Sequence, residues 1–265
     1  MLSILHQLKS AVFRFQIFEC GVCARKSNLN PRKASTSSIW QGRKVNTLSM
    51  DAKKEPSGKL KDIPTWGQYA AEESSLPAKI DMKLGCEIDD SKNATLANKI
   101  SIFCGNITIL EVDAIVNAAN SSLLGGGGVD GAIHKAAGPN LKAECKTLGG
   151  CPTGEAKITG GYNLPAKHVI HTVGPQGEKE GYLKNCYQNS LRIMLENNLR
   201  SIAFPCISTG IYGYPNEPAA HVAAYTVRKF LEANSDKVDR IIFCLFLDID
   251  KDIYKGLLQS YFPLE

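Results

Sequence analysis

The chain has 265 residues, which is enough for one large domain with additional segments or for two small domains. Hydrophobic residues make up 43% of it, so a sizeable core is possible, and no run of 18 apolar residues is present that would span a membrane. The formal net charge of +5 is unevenly placed, because residues 1–49 carry +7 and the remainder carries −2. The basic average therefore gives no support for direct nucleic-acid binding, which we do not expect.

The first 49 residues have the composition of a mitochondrial presequence. They contain eight Lys or Arg, one acid and nine Ser or Thr. Four apolar residues have the spacing of one helical stripe: Leu5, Leu8, Val12 and Phe15. We interpret residues 1–60 as a leader and linker and expect a mitochondrial location, with a disordered tail as the alternative. A start at Met50 would instead give a cytoplasmic or nuclear form.

Residues 61–90 are predicted to be a helical extension, with a short helix over 68–75 that has Pro64 in its first turn and Trp66 as an anchor. From residue 91 onward, apolar strand-like runs alternate with helix-like stretches. The strand-like runs are Ile100–Phe103, Ala114–Ala119, Ala156–Thr159, His168–Val173, Ile202–Cys206 and Ile241–Leu247. The helix-like stretches are Gly131–Ala137, Tyr182–Asn197, Pro218–Ala233 and Asp252–Tyr261. This alternation predicts a three-layer α/β/α domain over 91–265 around a mixed, mostly parallel sheet.

Two loops that follow predicted strands carry the features of a ligand site, since ligands of such folds lie beyond the carboxyl ends of the strands. The first loop follows Ala114–Ala119 and contains four consecutive glycines, Gly125–Gly128. Their amides can face anionic oxygens where a helix begins. The second loop, Ile207–Pro215, is also rich in small residues. Together the loops predict a site that clamps a diphosphate, with Tyr212 as its cover.

The first loop also contains a partial match to a dinucleotide-binding motif. Gly126, Gly128 and Gly131 fit the pattern G-x-G-x-x-G. That match is weak evidence, because the glycines do not follow the strand directly and no acid ends a clean second strand at the expected distance. We therefore expect phosphate binding without a Rossmann unit.

Three polar residues flank the glycines: Asn120 before them, and Asp130 and His134 after them. Asp130 and His134 are four apart, so a helix places them on one face. We expect the helix N-terminus to hold Asp130 ionised and weakly basic, so that it orients a water molecule. No G-x-S-x-G elbow or metal motif is present, so we expect attack by water without a metal or another cofactor. His168 and His171 lie in a strand pattern and are interpreted as packing or edge residues.

Several of these motifs resemble those of the macrodomain family, and others resemble its MacroD-type branch. The resemblance covers about residues 60–265. The motifs that carry it occur in this order: Gly105–Thr108, Asn117–Asn120, Gly125–Asp130, Ala156–Tyr162, His171–Pro175 and Phe204–Gly213.

The resemblance implies a protein that binds ADP-ribose, removes mono-ADP-ribose from acidic side chains and deacetylates O-acetyl-ADP-ribose. It implies that Asn120 hydrogen-bonds the distal ribose, that Asp130 and His134 orient ribose and water, and that Phe246 stacks near the adenine. The expected partners are these two nucleotides and mono-ADP-ribosylated proteins, with the chain acting as a monomer. The implied ligand contacts are Gly105, Asn106, Ile107, Ala118, Ala119, Asn120, Gly125, Gly126, Gly127, Gly128, Val129, Asp130, Ile207, Ser208, Thr209, Gly210, Ile211, Tyr212, Gly213 and Phe246.

One residue departs from the pattern of the family. Asn106 stands where the family usually has an Asp that accepts a hydrogen bond from the adenine amino group. The carbonyl of an Asn can still accept, but the bond is then neutral and weaker. We expect weaker selection of adenine, with binding retained.

Two other functions share the predicted pocket. A non-catalytic reader of ADP-ribosylated proteins would have the same fold, and a phosphatase acting on ADP-ribose 1″-phosphate would use the same cleft. The presence of Asn120, Asp130 and His134 together favours the hydrolase over the reader, and the phosphatase stays an open alternative.

Overall fold

The structure is a computed structural model that describes residues 57–264. The predicted leader and the alternative start at Met50 lie outside the described residues, apart from 57–60. The six strands are β1 (Ile100–Cys104), β2 (Ala114–Ala118), β3 (Ala156–Gly160), β4 (His168–Thr172), β5 (Ser201–Phe204) and β6 (Arg240–Leu245). The seven α-helices of this part are α1 (Trp66–Glu72), α2 (Asn93–Ala97), α3 (Gly128–Ala137), α4 (Pro139–Thr147), α5 (Glu180–Glu196), α6 (Asn216–Asn234) and α7 (Asp248–Tyr261).

The six strands form one sheet in the order β1-β6-β5-β2-β4-β3. All neighbours pair in parallel except β3, which is antiparallel to β4. The prediction of a mixed, mostly parallel sheet is therefore confirmed. Because β1, β6, β5 and β2 run in the same direction, the loops that follow them leave from one edge of the sheet.

Apolar side chains are buried on both faces of the sheet. On one face lie α5, α6 and α7, which contribute Leu183, Val227 and Leu257 to a common core. On the other face lie α3 and α4, which contribute Ile133 and Leu141. The strands are thus covered twice, which explains their unbroken apolar runs. The predicted three-layer α/β/α architecture is confirmed.

Several helices of the domain differ from the prediction: α2 was not predicted, α7 begins four residues earlier than expected, and α3 and α4 differ close to the predicted site. Helix α3 begins at Gly128, three residues earlier than expected, so part of the glycine run is helical. Helix α4 was not predicted, since it is short and contains three charged residues. It has Pro139 in its first turn and buries Leu141 and Cys145, two apolar residues one turn apart.

The predicted helical extension is helical over a small part of its length. Helix α1 starts after Thr65, whose side chain accepts from the backbone of Gln68 in a capping box. Pro64 therefore precedes the N-cap and does not lie in the first turn, contrary to the prediction. Residues 73–88 contain no helix. The division of the chain at residues 60 and 90 stays a prediction. No helix in the described part has the length and apolar character needed to cross a membrane.

A buried arginine joins the extension to the C-terminal helices. Arg228 on α6 is fully buried and donates to Asn93 Oδ1 at 2.9 Å, to the Tyr261 carbonyl at 2.8 Å and to the Asp89 carbonyl at 2.6 Å. Its Nε also pairs with Glu232 at 2.9 Å. A buried guanidinium is tolerated where its N–H groups are hydrogen-bonded in this way.

Replacing Arg228 with Ala should lower the free energy of unfolding by about 2–5 kcal/mol, because it empties a fully buried site and removes the ion pair with Glu232 together with the bonds to Asn93 and to the Asp89 and Tyr261 carbonyls. The measurement is urea-induced unfolding. Arg192→Ala is the matched control, since Arg192 forms an exposed i,i+4 pair with Glu196 whose loss costs about 0.5 kcal/mol or less. Equal losses in the two variants would contradict the structural role of Arg228.

Candidate active site

The loops that were predicted to bind a ligand leave from the same edge of the sheet. Asn106 follows β1, Asn120 follows β2, Ser208 follows β5 and Phe246 follows β6. The ends of β1 and β6 remain joined beyond the strands by a bond of 3.1 Å from the amide of Gly105 to the carbonyl of Leu245. The sheet order therefore brings the predicted contact residues to one side of the molecule.

Asp130 is buried in the first turn of α3, with 2% of its surface exposed. Its Oδ1 accepts from Asn117 Nδ2 at 2.8 Å and lies 3.4 Å from His134 Nε2. Its Oδ2 lies 3.4 Å from Asn120 Nδ2, on the side of the glycine loop. The three predicted catalytic residues therefore form one cluster, in which Asn117 holds the carboxylate from the sheet.

The electrostatics of Asp130 differ from the prediction. Burial raises the pKa of its carboxyl above the ordinary value, and the hydrogen bond from Asn117 and the nearby His134 only partly oppose that shift. Desolvation of this buried carboxylate acts against the weak basicity that was expected from its place at the helix N-terminus. A carboxylate with a raised pKa is a better proton acceptor, so Asp130 can both orient water and assist its deprotonation.

His171 was interpreted as a packing or edge residue, but it belongs to the network behind Asp130. It is fully buried on β4, and its Nδ1 lies 3.1 Å from the same Asn117 Nδ2 that donates to Asp130. An amide N–H requires an acceptor, so Nδ1 is unprotonated and the proton resides on Nε2, which faces Thr159 Oγ1 at 2.9 Å. Burial lowers the pKa of His171 to about 3, which keeps the ring neutral.

His134, Cys145 and His171 have ligand atoms within 4.8 Å of one another and form the one potential metal cluster found in the described part. Two of the three ligand atoms are protonated in this arrangement: the Nε2 of His171, for the reason given above, and the Cys145 thiol, whose pKa burial raises to about 11. Metal binding would have to displace both protons. The cluster is better described as the packed wall behind Asp130.

The glycines of the first loop have a packing role beside their open amides. Gly125 has φ +89°, and a Cβ there would lie 3.4 Å from the ring of His134. A Cβ on Gly126 would lie 3.0 Å from Asn120 Nδ2 and from Asp130 Oδ2. The loop backbone therefore lies directly against the catalytic cluster, and a side chain at Gly126 would press on Asn120 and Asp130.

The second loop faces the first. Ser208 has φ +68° and a buried hydroxyl, and a Cβ on the adjacent Gly174 would lie 2.0 Å from it. Ile211 is 88% exposed, and its Cδ1 lies 3.5 Å from the position of a Cβ on Gly127. Tyr212 is half-buried. Ile211 thus reaches across to the glycine run, and the role of Tyr212 as a cover for the ligand stays a prediction.

Some predicted contact residues have side chains in the core. Ile107, Ala119 and Ile207 are buried at 4% exposure or less. Their contribution to a ligand site is therefore limited to backbone atoms. Phe246, immediately after β6, is 79% exposed and offers a free aromatic face.

Asn106 is bonded differently from the expectation. Its Oδ1 accepts from the Thr108 amide at 3.0 Å and from the Thr108 hydroxyl at 2.8 Å. The carbonyl oxygen is thereby used within the loop, and the group left over is the Nδ2 amide, which is a donor. The prediction that this carbonyl is free to accept from a ligand was wrong. The spacing Asn-x-Thr was the signal for this turn.

Comparison with known proteins is consistent with this geometry. Residues 116–223 match the Macro domain family. The chain is 50% identical over 240 residues to the ADP-ribose glycohydrolase MACROD2 of Mus musculus, covering 86% of this chain and 49% of the relative. It is 55% identical over 212 residues to the ADP-ribose glycohydrolase MACROD1 of Rattus norvegicus, covering 78% of this chain and 79% of the relative. The chain spans about half the length of the MACROD2 relatives that it matches.

Solved structures give the same result. A Trypanosoma brucei macrodomain in complex with ADP-ribose is 41% identical, has a TM-score of 0.64 and is matched over 76% of both chains. An Oceanobacillus iheyensis macrodomain with ADP is 45% identical, with a TM-score of 0.58, over 60% of this chain and 90% of the other. Together with the fold and the paired loops, these likenesses establish that the chain belongs to the macrodomain family.

Proposed function

We propose that this chain is a hydrolase that binds ADP-ribose and cleaves esters on its distal ribose. Its substrates are proteins with mono-ADP-ribose on acidic side chains, and O-acetyl-ADP-ribose. The observation that carries this proposal is the arrangement of Asp130, which is held by Asn117 from the sheet and directs its second oxygen toward Asn120 and the glycine loop. The names of the MACROD relatives and the ADP-ribose bound to a similar macrodomain support the nucleotide.

The reaction adds one water molecule across the ester and releases ADP-ribose and a carboxylic acid, or acetate. Asp130 orients the water and draws on its proton, helped by the raised pKa that burial gives its carboxyl. Asn117 prevents the carboxylate from turning away. His134, which lies 3.4 Å from Asp130 Oδ1, forms the adjacent wall of the site and is proposed to contact the ribose.

The diphosphate is proposed to bind between the two loops. Backbone amides of the glycine run and of 208–213 supply donors without side chains that would exclude the ligand. The N-terminus of α3, at Gly128, adds positive potential to this cleft. Phe246 is proposed to stack on the base at the other end.

Asp130→Ala should reduce turnover of a protein mono-ADP-ribosylated on glutamate by about 100-fold or more, because it removes the group that orients and activates water. ADP-ribose affinity, measured by calorimetry, should change little. Asp130→Asn preserves the shape of the side chain, so its turnover shows whether the loss follows from the missing charge or from altered packing. Tight binding of ADP-ribose without any release by the unmodified chain would identify a reader instead.

The pH profile should report the buried carboxyl. We expect kcat/KM to fall at acidic pH as Asp130 becomes protonated, at a higher pH than for an exposed aspartate, since burial raises its pKa. Asn117→Leu removes a hydrogen bond to the ionised carboxylate and should move this acidic limb to a still higher pH. An acidic limb at the position of an ordinary aspartate, unchanged in Asn117→Leu, would exclude Asp130 as the titrating group.

Asn106→Asp should strengthen ADP-ribose binding by about 1 kcal/mol, or roughly fivefold. One carboxylate oxygen can keep the bonds to Thr108 while the other offers an acceptor to the adenine amino group, which Asn106 does not. The measurement is calorimetry with ADP-ribose and with its hypoxanthine analogue, for which no gain is expected. Unchanged affinity for ADP-ribose would show that residue 106 does not contact the base.

A further inference from the structure

A groove lies on the outer side of the first glycine loop, between α3 and α4. It has a volume of about 570 Å³, and its lining includes His134 of the catalytic cluster and Gly125 and Gly126, which lie against that cluster. The groove therefore borders the loop beside which the ester is proposed to lie.

Two lysines give this groove its charge. Lys135 on α3 and Lys142 on α4 both line it and are exposed. Neither forms an ion pair with any carboxylate of the described residues. Exposed lysines of the described domain include paired ones, such as Lys167 with Asp113 at 2.7 Å, and unpaired ones, such as Lys184. The groove differs in bringing two unpaired lysines to one concave surface. Unpaired lysines at one site create a local positive potential that favours an anionic partner.

The acids of the two helices do not offset that potential at the groove. No Asp or Glu occurs among the described residues that line it. Glu144 on α4 is turned toward β3, where its Oε2 accepts from the Gly160 amide at 3.0 Å and the Tyr162 hydroxyl at 2.8 Å. Asp130 on α3 is buried beneath the loop.

The lining also has the shape that an extended main chain requires. Four of its residues are glycines, and Pro139 is a fifth residue without a long side chain. Backbone can approach backbone closely along such a surface. The described lining contains no Phe, Tyr or Trp on which a nucleic-acid base would stack, and two lysines are few for a phosphate backbone.

We propose that this lysine groove, formed by α3, α4 and the first glycine loop, binds the acidic polypeptide segment that flanks the ADP-ribosylated residue. The proposal rests on the hydrolase function proposed above and adds a sequence preference to it. Acidic residues beside the modified side chain engage Lys135 and Lys142, and the nucleotide occupies the cleft. Esters of ADP-ribose with small acids do not reach the groove.

The test uses the full chain and three substrates: O-acetyl-ADP-ribose, a peptide mono-ADP-ribosylated on a single glutamate between acidic residues, and the same peptide with basic flanks. The variant is Lys135→Glu combined with Lys142→Glu. The matched control is Lys61→Glu combined with Lys184→Glu, which makes the same change of net charge at exposed positions away from the groove. Thermal unfolding checks that both variants are folded.

We expect the unmodified chain to prefer the acidic peptide, and the groove variant to lose about tenfold in kcat/KM on it. Activity of that variant on O-acetyl-ADP-ribose should be unchanged, and the control should behave as the unmodified chain. The preference should also disappear near 1 M salt, where the Debye length is only about 3 Å.

Three results would overturn the proposal. They are equal rates on both peptides, an equal loss on the peptide and on O-acetyl-ADP-ribose, and a larger loss on an ADP-ribosylated phosphorylated oligonucleotide than on the acidic peptide. If the unmodified chain hydrolyses none of the substrates, the proposed hydrolase function fails, and the intact peptides then test the groove by calorimetry. Tighter binding of the acidic peptide that is lost in the groove variant supports the groove, and equal affinities refute it.

Discussion

A single buried hydrogen bond, from Asn117 on β2 to Asp130 on α3, fixes the position of the candidate catalytic carboxylate relative to the sheet. The same amide is engaged by neutral His171, so its orientation is determined from the core outward. An unpaired carboxylate at this depth would be costly, which makes the arrangement of the loop between the two residues a condition of stability as well as of function. The site is therefore an extension of the core.

That condition explains why the first loop is so rich in glycine. Its backbone passes within contact distance of Asp130, Asn120 and His134, and the carbonyl of Gly126 lies 2.5 Å from the position of a Cβ on Gly131. Side chains at these positions would displace either the loop or the helix. The same absence of side chains leaves amides open on the outer surface. The glycine-rich composition of the loop thus allows it to pack against the catalytic cluster and also leaves its amides available to a ligand.

The strands and the layer order were predictable because buried parallel strands appear in the sequence as unbroken apolar runs, as at Ile241–Leu247. The role of His171 could not be predicted, because the sequence around a polar residue in an apolar strand does not show which distant residues it will contact. The pKa of Asp130 was misjudged because its place in a helix can be inferred from sequence, but its burial depends on the whole fold. Asn106 was misjudged because a side chain two residues away, Thr108, takes up its carbonyl. Helix α4 was not predicted because it lacks a long apolar stripe.

The contacts of Arg228 and Trp66 link segments that are far apart in sequence. Arg228 bonds to Asp89 and to the carbonyl of Tyr261, and Trp66 Nε1 donates to the carbonyl of Phe262 at 3.0 Å. Segments that share buried bonds open together, so the amide protons of α1 and of the last turns of α7 should exchange with solvent at similar rates, as one cooperative unit. Fraying at one end of the domain is thereby coupled to fraying at the other.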